Sequence, residues 1–477
     1  MPLSSNSFNL THTFLNPNPN PSSINLFSSA VAISGNNLLI SAVGDDEEES
    51  SGTASSEATY LFDALTGETV TTFLNPASVE GQSSGDRFGF AVAIETDQVL
   101  IGAPSDDTEA SNTGTAHLFD ALTGELQQTF LNPTPDEVDE FGYSLDISNN
   151  QVIIGAPFDD TGAPNTGAAY LFDALTGELQ QTFLNPTPDA GDLFASTVAI
   201  DDNNVLIGAP LDDAKVSNSG AAYLFDAQTG ELQQTFINPK GGVGDVFGSA
   251  VAIDDNLVLI GVRGDDAGEM NSGTAYLFDA ETGELLQTFF NPKPAIGDAF
   301  GISVALDDGK ALISASAADD GEENSNSGKA YLFDTETGQL LETFANPTPA
   351  EGDLFGNAVA IEGGNVLIGA FGDDTEDSSG AAYLFQTEIE PENPEPPLEG
   401  IQNILDMSTT ETDFPPDNIL ARSTSTSLSF DSSELDLVDS GINNNFGQEE
   451  DSFTFTNTNS NVVNMQLVIS TEIAMEM

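Results

Sequence analysis

The sequence contains no cysteine and no tryptophan, and only 2 histidines among 477 residues. Without cysteine, no disulfide braces the fold and no thiolate serves as nucleophile or soft metal ligand. Positive charge is nearly as scarce: 8 Lys and Arg stand against 78 Asp and Glu, a formal net charge of −70. Such a surface repels nucleic acid and anionic lipid headgroups alike. Long apolar runs are also missing. The longest are strand-sized, so no membrane insertion is expected. The opening MPLSSNSFNLTHTF has neither the basic nor the apolar region of an ordinary signal peptide. The acidic charge has two readings, solubility in a saline medium and convergence of carboxylates on divalent cations.

What is present is a repeat of about 53 residues. A segment of the form F-[GAS]-x-[AS]-[VL]-[AD]-[IL] begins at Phe27, Phe88, Phe141, Phe194, Phe247, Phe300 and Phe355. Each copy runs through a short polar turn into an apolar stretch such as VLIGAP, then an Asp-Asp pair and a Gly/Ser/Asn-rich loop. It continues as [AT]-[YH]-L-F-D and closes with T-G-E-L-x-x-T-F-x-N-P. Four apolar stretches separated by turn residues read as four antiparallel strands per copy, with FGFAVAI and VLIGAP as the first pair. The unalternating VLIGAP runs suit strands buried on both faces. The three phenylalanines of each copy fall at identical places, which assigns them to packing between neighbouring sheets rather than to stacking on a ligand.

These features predict an all-β fold, a seven-bladed β-propeller over residues 8–386 built of four-stranded antiparallel blades. Its closure is legible at the ends. A lone outer strand, FNLTHTFLNP, precedes the first copy, and the last copy stops after Tyr383-Leu384-Phe385 without one. The N-terminal strand therefore completes the last blade and hides its edge. Residues 387–400 read as a Pro/Glu-rich linker. Residues 401–477 read as a small C-terminal β-rich segment, or a partly disordered tail for export or for association with another chain.

The segment FGFAVAIETDQVLIGAPSDD and its siblings at Phe141 and Phe194 resemble the FG-GAP repeat of integrin α-subunit propellers, most of all the short bacterial form. The resemblance implies a seven-bladed propeller used in extracellular adhesion or ligand binding. It departs at Phe27-Ser28 and Phe194-Ala195, and Gly-Ala-Pro has drifted at Ser41, Gly261, Ser314 and Gly369. The family's calcium loop between the first two strands is replaced by a tight turn, and calcium needs about six to eight oxygens. That site is not carried over.

Two sets of acids recur. The pairs after the second strand are Asp45-Asp46, Asp106-Asp107, Asp159-Asp160, Asp212-Asp213, Asp265-Asp266, Asp319-Asp320 and Asp373-Asp374. Just before the opening phenylalanine come Asp86, Asp139, Asp192, Asp245, Asp298 and Asp353, with Asn25 in the first copy. In an up-and-down blade both connections emerge at one end, so these acids should crowd one rim. Exact repetition favours loop-fixing Asx turns, and weak Ca2+ binding by the pairs is compatible with that role. Calcium is the one cofactor the pattern suggests. Arg263 breaks Gly-Ala-Pro beside this rim, where pairing with the acids is expected.

An enzyme is disfavoured. His12 and His117 both lie in repeated strands, so nucleophile–base pairing lacks material, and seven equivalent acid pairs single out none for glycosidase chemistry. The expected function is an extracellular or cell-surface, non-enzymatic binding and adhesion module. It would present the acidic face to an unidentified protein or glycan partner, and reach its location by non-classical export through a C-terminal signal. Alternatives are a calcium-stabilised structural element of a surface layer or matrix and, less favoured, a polysaccharide-active enzyme.

Overall fold

Asn149 and Asn150 both hold positive φ, 51° and 61°, and so close a tight hairpin between Ser144–Ser148 and Gln151–Ala156. Ala168–Asp173 and Leu179–Leu184 complete an antiparallel sheet in which the four strands lie in chain order. The second strand is buried along its length except at Gln151, whereas the outer strand exposes all but buried Phe183 and half-buried Gln181. This is blade 3, and the same plan recurs from blade 1, which opens at Phe27, to blade 7, which opens at Phe355. The computed structural model describes residues 7–17, 24–45, 57–76, 85–319, 326–373 and 380–387, together with the short strands Phe455–Thr456 and Val462–Val463.

Two units are distinct, Met1–Asn393 and Pro394–Met477. In the second, Phe455–Thr456 pairs antiparallel with Val462–Val463, within the segment read as β-rich or as a tail. The rest of residues 401–477 and the linker beyond Thr387 lie outside the described residues.

The first unit holds seven four-stranded sheets. Their inner strands lie side by side in sequence, and the inner strand of blade 7 lies beside that of blade 1. The ring is a seven-bladed propeller. Phe8–Leu15 pairs with Ala381–Thr387, from Phe8 opposite Thr387 to Leu15 opposite Ala381, and so forms the outer strand of blade 7.

Phenylalanines knit the blades. The outer-strand Phe of each blade meets the third-strand Phe of the next at ring-centroid distances of 4.8–5.3 Å, as in Phe130–Phe172 and Phe183–Phe225. Phe14 of the N-terminal strand makes the equivalent contact with Phe62 of blade 1, so the seam is packed like every other junction. The opening phenylalanines are fully buried, which bears out their assignment to the core.

The expected opening strand FGFAVAI is shorter than it reads. In blade 2 the strand is Val92–Glu95, and Phe88-Gly89 form a turn with positive φ at Arg87 (58°) and Gly89 (90°), which extended backbone does not tolerate. Only blade 1 keeps its phenylalanine in the strand, through a bulge between Phe27 and Val31. The glycine of Gly-Ala-Pro serves this turn: a Cβ on Gly102 would stand 2.2 Å from the carbonyl oxygen of Gly142, in the opening turn of the next blade.

Candidate functional site: the acidic rim and the channel mouth

The connections that follow the second strand and those that precede the opening phenylalanine meet at one end of the ring. The field of Asp106 and Asp107 acts on Asp86, and that of Asp159 and Asp160 acts on Asp139. These acids have three different environments.

The first acid of the pair is buried: Asp106, Asp159, Asp212, Asp265 and Asp373 are 1–3% exposed. It accepts from hydroxyls that the sequence reading did not connect to it. Tyr170 donates to Asp159 at 2.6 Å and Tyr223 to Asp212 at 2.7 Å, while the threonine of Asn-Pro-Thr adds a bond from Thr134 and from Thr187, each at 3.1 Å. Burial, followed by these acids, pushes the tyrosine hydroxyls well above their ordinary range. In blade 2, His117 stands in the tyrosine's place and bridges Thr115 at 3.1 Å and Thr129 at 3.2 Å. Burial holds its imidazole down at about 4, so it remains neutral.

The second acid is exposed and fixes the loop. Asp107, Asp160, Asp213 and Asp266 accept from the backbone N–H of Asn112, Asn165, Asn218 and Asn271, each of which holds positive φ. The carbonyl of that asparagine receives the N–H of the residue before the next blade's opening phenylalanine, as with Glu140 on Asn112 at 3.1 Å. The acid therefore latches one blade to the next.

Blade 6 departs from the sequence reading. Ala318 takes the buried first position, since Gly328 donates to its carbonyl as Gly114 does to Asp106, and Asp319 takes the latch position by accepting from Asn326. The pair Asp319-Asp320 is thus displaced by one place, because Ser314–Ala318 holds two small residues where the other blades have one before the acids. Asp46, Asp320 and Asp374 lie outside the described residues, as does the side chain of Asp45.

The acids before the phenylalanine are partnered by the asparagine of the Asn-Pro that closes the preceding blade. Asn132 donates to Asp139, Asn185 to Asp192 and Asn238 to Asp245, at 2.7–2.8 Å, and a backbone N–H such as that of Asp136 joins them at 2.7 Å. Burial first, and then the neighbouring acids, push Asp86, Asp139 and Asp192 up to about 6 and raise Asp245 and Asp298. Asp353 repeats the arrangement with Asn346 at 2.7 Å.

A model of the FG-GAP repeat matches residues 80–119, 128–172, 179–225, 231–278, 293–333 and 347–385, more than half of the chain. The chain belongs to the FG-GAP repeat family. Propellers of this family are binding or structural modules, typically without enzymatic activity. No curated protein matches the chain. The integrin-type calcium loop does not fit this FG-GAP ring. Blade 2 turns between Val92–Glu95 and Gln98–Ala103 on Thr96 and Asp97 alone, too few residues to wrap a calcium ion. Among the described residues no group of three or more His, Asp or Glu is arranged to hold a metal ion.

The axis of the FG-GAP ring opens at the rim as a cavity of about 310 Å3 lined by the starts of the inner strands. Its wall is uneven. The second residue after the opening phenylalanine is Ser29, Ser249 or Asn357 in blades 1, 5 and 7 and Ile302 in blade 6, but Phe90 and Tyr143 in adjoining blades 2 and 3. Phe90 and Tyr143 pack at 4.8 Å, and Phe158 meets Tyr143 edge-on at 6.3 Å. The Arg87 guanidinium lies 3.9 Å over the Phe90 ring and pairs with Glu140 at 3.7 Å. Arg263 was expected to pair with rim acids. Among the described residues it makes no ion pair, and its charge acts instead at the Tyr143 hydroxyl.

Deeper in the channel, Asp146 replaces the alanine that other blades carry. Its carboxylate accepts from Ile147 and Ile200, both at 2.9 Å, and burial pushes it up to about 7. At the far end, Glu95, Asp201, Asp307 and Glu362 each accept a backbone N–H from the next blade's hairpin turn, at 2.7–3.1 Å.

Proposed function

We propose that the chain is an extracellular, non-enzymatic binding and adhesion propeller that presents its acidic loop rim to a macromolecular partner. The observation that supports this is the division of labour among the rim acids. The first acid and the acid before each phenylalanine are consumed by internal hydrogen bonds, while the latch acids Asp107, Asp160, Asp213 and Asp266 spend one oxygen on the loop and stand exposed. The rim thereby offers regularly spaced negative charge on a rigid frame, which suits a cationic protein surface or a cationic glycan. His117 is a buried, neutral strut between the hydroxyls of Thr115 and Thr129, and His12 sits at the seam, which supports a binding rather than a catalytic role.

The full chain, immobilised and probed with arrays of purified proteins and glycans at low and high salt, tests this reading. Binding to cationic members, weakened by salt and by neutralising Asp160 and Asp213 to Asn, is the expected outcome. Binding indifferent to both changes would remove the rim as the contact.

A second reading, a calcium-stabilised structural element, is supported by the spare oxygens of the same latch acids. Calcium at tenfold its dissociation constant would add about 1.4 kcal/mol of stability per occupied site. A melting temperature unmoved by calcium would set this reading aside.

A further inference from the structure

We propose that the rim-side mouth of the axial channel binds an uncharged sugar ring, the terminal pyranose of a neutral glycan. The C–H face of the ring would lie on the Phe90–Tyr143 wall, and its hydroxyls would meet the serine, threonine and asparagine groups around the rest of the mouth. This site is separate from the exposed latch acids and does not depend on what they bind.

Three observations converge on it. The first is that the repeat does not require aromatic residues here. The same position carries serine in blades 1, 4 and 5, and those opening turns form equally well, so Phe90 and Tyr143 are not demanded by packing. They adjoin each other, remain partly exposed, and Phe158 continues the apolar face outward, giving a wall rather than scattered rings. The second is charge. In a chain of net charge −70, none of the side chains that line the cavity is charged. Beside the wall, Arg87 and Glu140 pair with each other at 3.7 Å, and the Arg87 guanidinium rests 3.9 Å over Phe90, which holds that ring in place. A charged ligand seated here would give up water without gaining a partner from the lining. The third is a set of fixed acceptors. Ser144 donates to the Ala195 carbonyl at 2.8 Å and Thr197 to the Gly248 carbonyl at 2.9 Å, while Ser303 accepts the Val359 N–H at 3.2 Å. Each bond ties a lining hydroxyl to the next blade and leaves its oxygen a lone pair for a further donor.

The chemistry selects the ligand. A pyranose offers an apolar C–H face and a fringe of hydroxyls that donate as well as accept, which matches an aromatic wall set opposite fixed acceptors. Ser249 and Asn357 add polar groups away from the wall. A flat aromatic ligand would use the wall and leave the acceptors unserved. The cavity of about 310 Å3 lies at the small end of ligand pockets. All seven blades contribute to its lining, so it admits the end of a chain rather than a chain passing through.

The natural repeat supplies a variant that leaves the fold intact, since blades 1, 4 and 5 carry serine where blade 2 has Phe90. Titration calorimetry of the full chain would use the methyl glycosides of glucose, galactose and mannose. The uronic acid and the amino sugar of whichever binds best would follow, with N-acetyltryptophanamide as a flat aromatic. The expected result is binding of at least one neutral glycoside, weakened at least about tenfold by Phe90→Ser and by Tyr143→Ser and retained in Phe90→Tyr. Both charged analogues should bind at least about tenfold more weakly than the neutral sugar. No binding by any of the three glycosides at about 10 mM would overturn the proposal, as would a charged analogue that binds as tightly. So would undiminished affinity in the two serine variants at an unchanged melting temperature. Tryptophanamide bound more tightly than every sugar, and lost in Phe90→Ser, would assign the mouth to a flat aromatic group and overturn it equally. The array of rim partners, repeated with Phe90→Ser, reads the other function separately and should be unchanged.

Discussion

Replacing Asp192 by asparagine should stabilise the propeller at neutral pH and leave it unchanged in acid. Asp192 is buried, receives Asn185 at 2.8 Å and the Asp189 N–H at 2.7 Å on one oxygen, and feels the charge of Asp212. Burial and that neighbour hold its carboxyl up at about 6. The folded state therefore holds the proton more tightly than the unfolded chain does. Its stabilising contribution is complete below about 3.9 and is lost as pH rises through about 6. The full cost of ionisation would be about 3 kcal/mol, reduced by solvent screening at the rim to about 1–2 kcal/mol. Asparagine keeps an oxygen for both donors and carries no charge for Asp212 to repel. Urea unfolding of the full chain at pH 4 and pH 7.5, followed by tyrosine fluorescence in the absence of tryptophan, measures the difference. Asp192→Asn should gain about 1–2 kcal/mol at pH 7.5 and little at pH 4. Equal destabilisation at both pH values would show that the ionised carboxylate itself holds the loop, and would refute the reasoning.

Three further substitutions probe the frame. Gly167→Ala should cost more than about 3 kcal/mol in urea unfolding, because the glycine sits at φ +87° and a Cβ there would stand 1.9 Å from the Phe194 carbonyl oxygen. Phe14→Ala should cost about 3–5 kcal/mol, the range for a buried phenylalanine, since the seam contact with Phe62 is as tight as any other blade junction. Tyr223→Phe removes the donor to Asp212 and should lower stability by about 1–3 kcal/mol, measured by the same unfolding assay.

The sequence disclosed the fold because each blade repeats both its turns and its packing. The hairpin asparagines, the D-x-x-T-G turns and the three phenylalanines per copy recur at fixed spacing, and the unmatched strands at the two ends specify closure. The Asp of D-x-x-T-G behaves as its spacing implies: Asp173 accepts from the backbone N–H and the hydroxyl of Thr176 at 2.8 and 2.9 Å, which holds its carboxyl below the usual range. What periodicity concealed were the partners of the rim acids. Asn-Pro reads as a turn and Tyr-Leu-Phe as core, yet Asn185 and Tyr223 reach carboxylates that lie 7 and 11 residues away in sequence. Their recurrence beside an acid in copy after copy was the available signal. The opening turn reads as strand because the apolar residues around it outweigh the one mark of positive φ in FGFAVAI, the glycine at its second place. Phe90 and Tyr143 passed unnoticed since a repeat draws the eye to what is shared, whereas the channel mouth is made by what differs.

Strand exchange between the chain ends is the feature on which the ring depends, and a crosslink tests it directly. Asn9 lies opposite Gln386 across the seam, and no native cysteine competes. With Asn9→Cys and Gln386→Cys introduced together, mild oxidation of the full chain should produce an intramolecular disulfide. Proteolysis and mass spectrometry would find it joining the peptides that carry residues 9 and 386. Failure of the pair to crosslink while the protein remains folded, or crosslinking only between separate chains, would contradict a propeller closed by its own first strand.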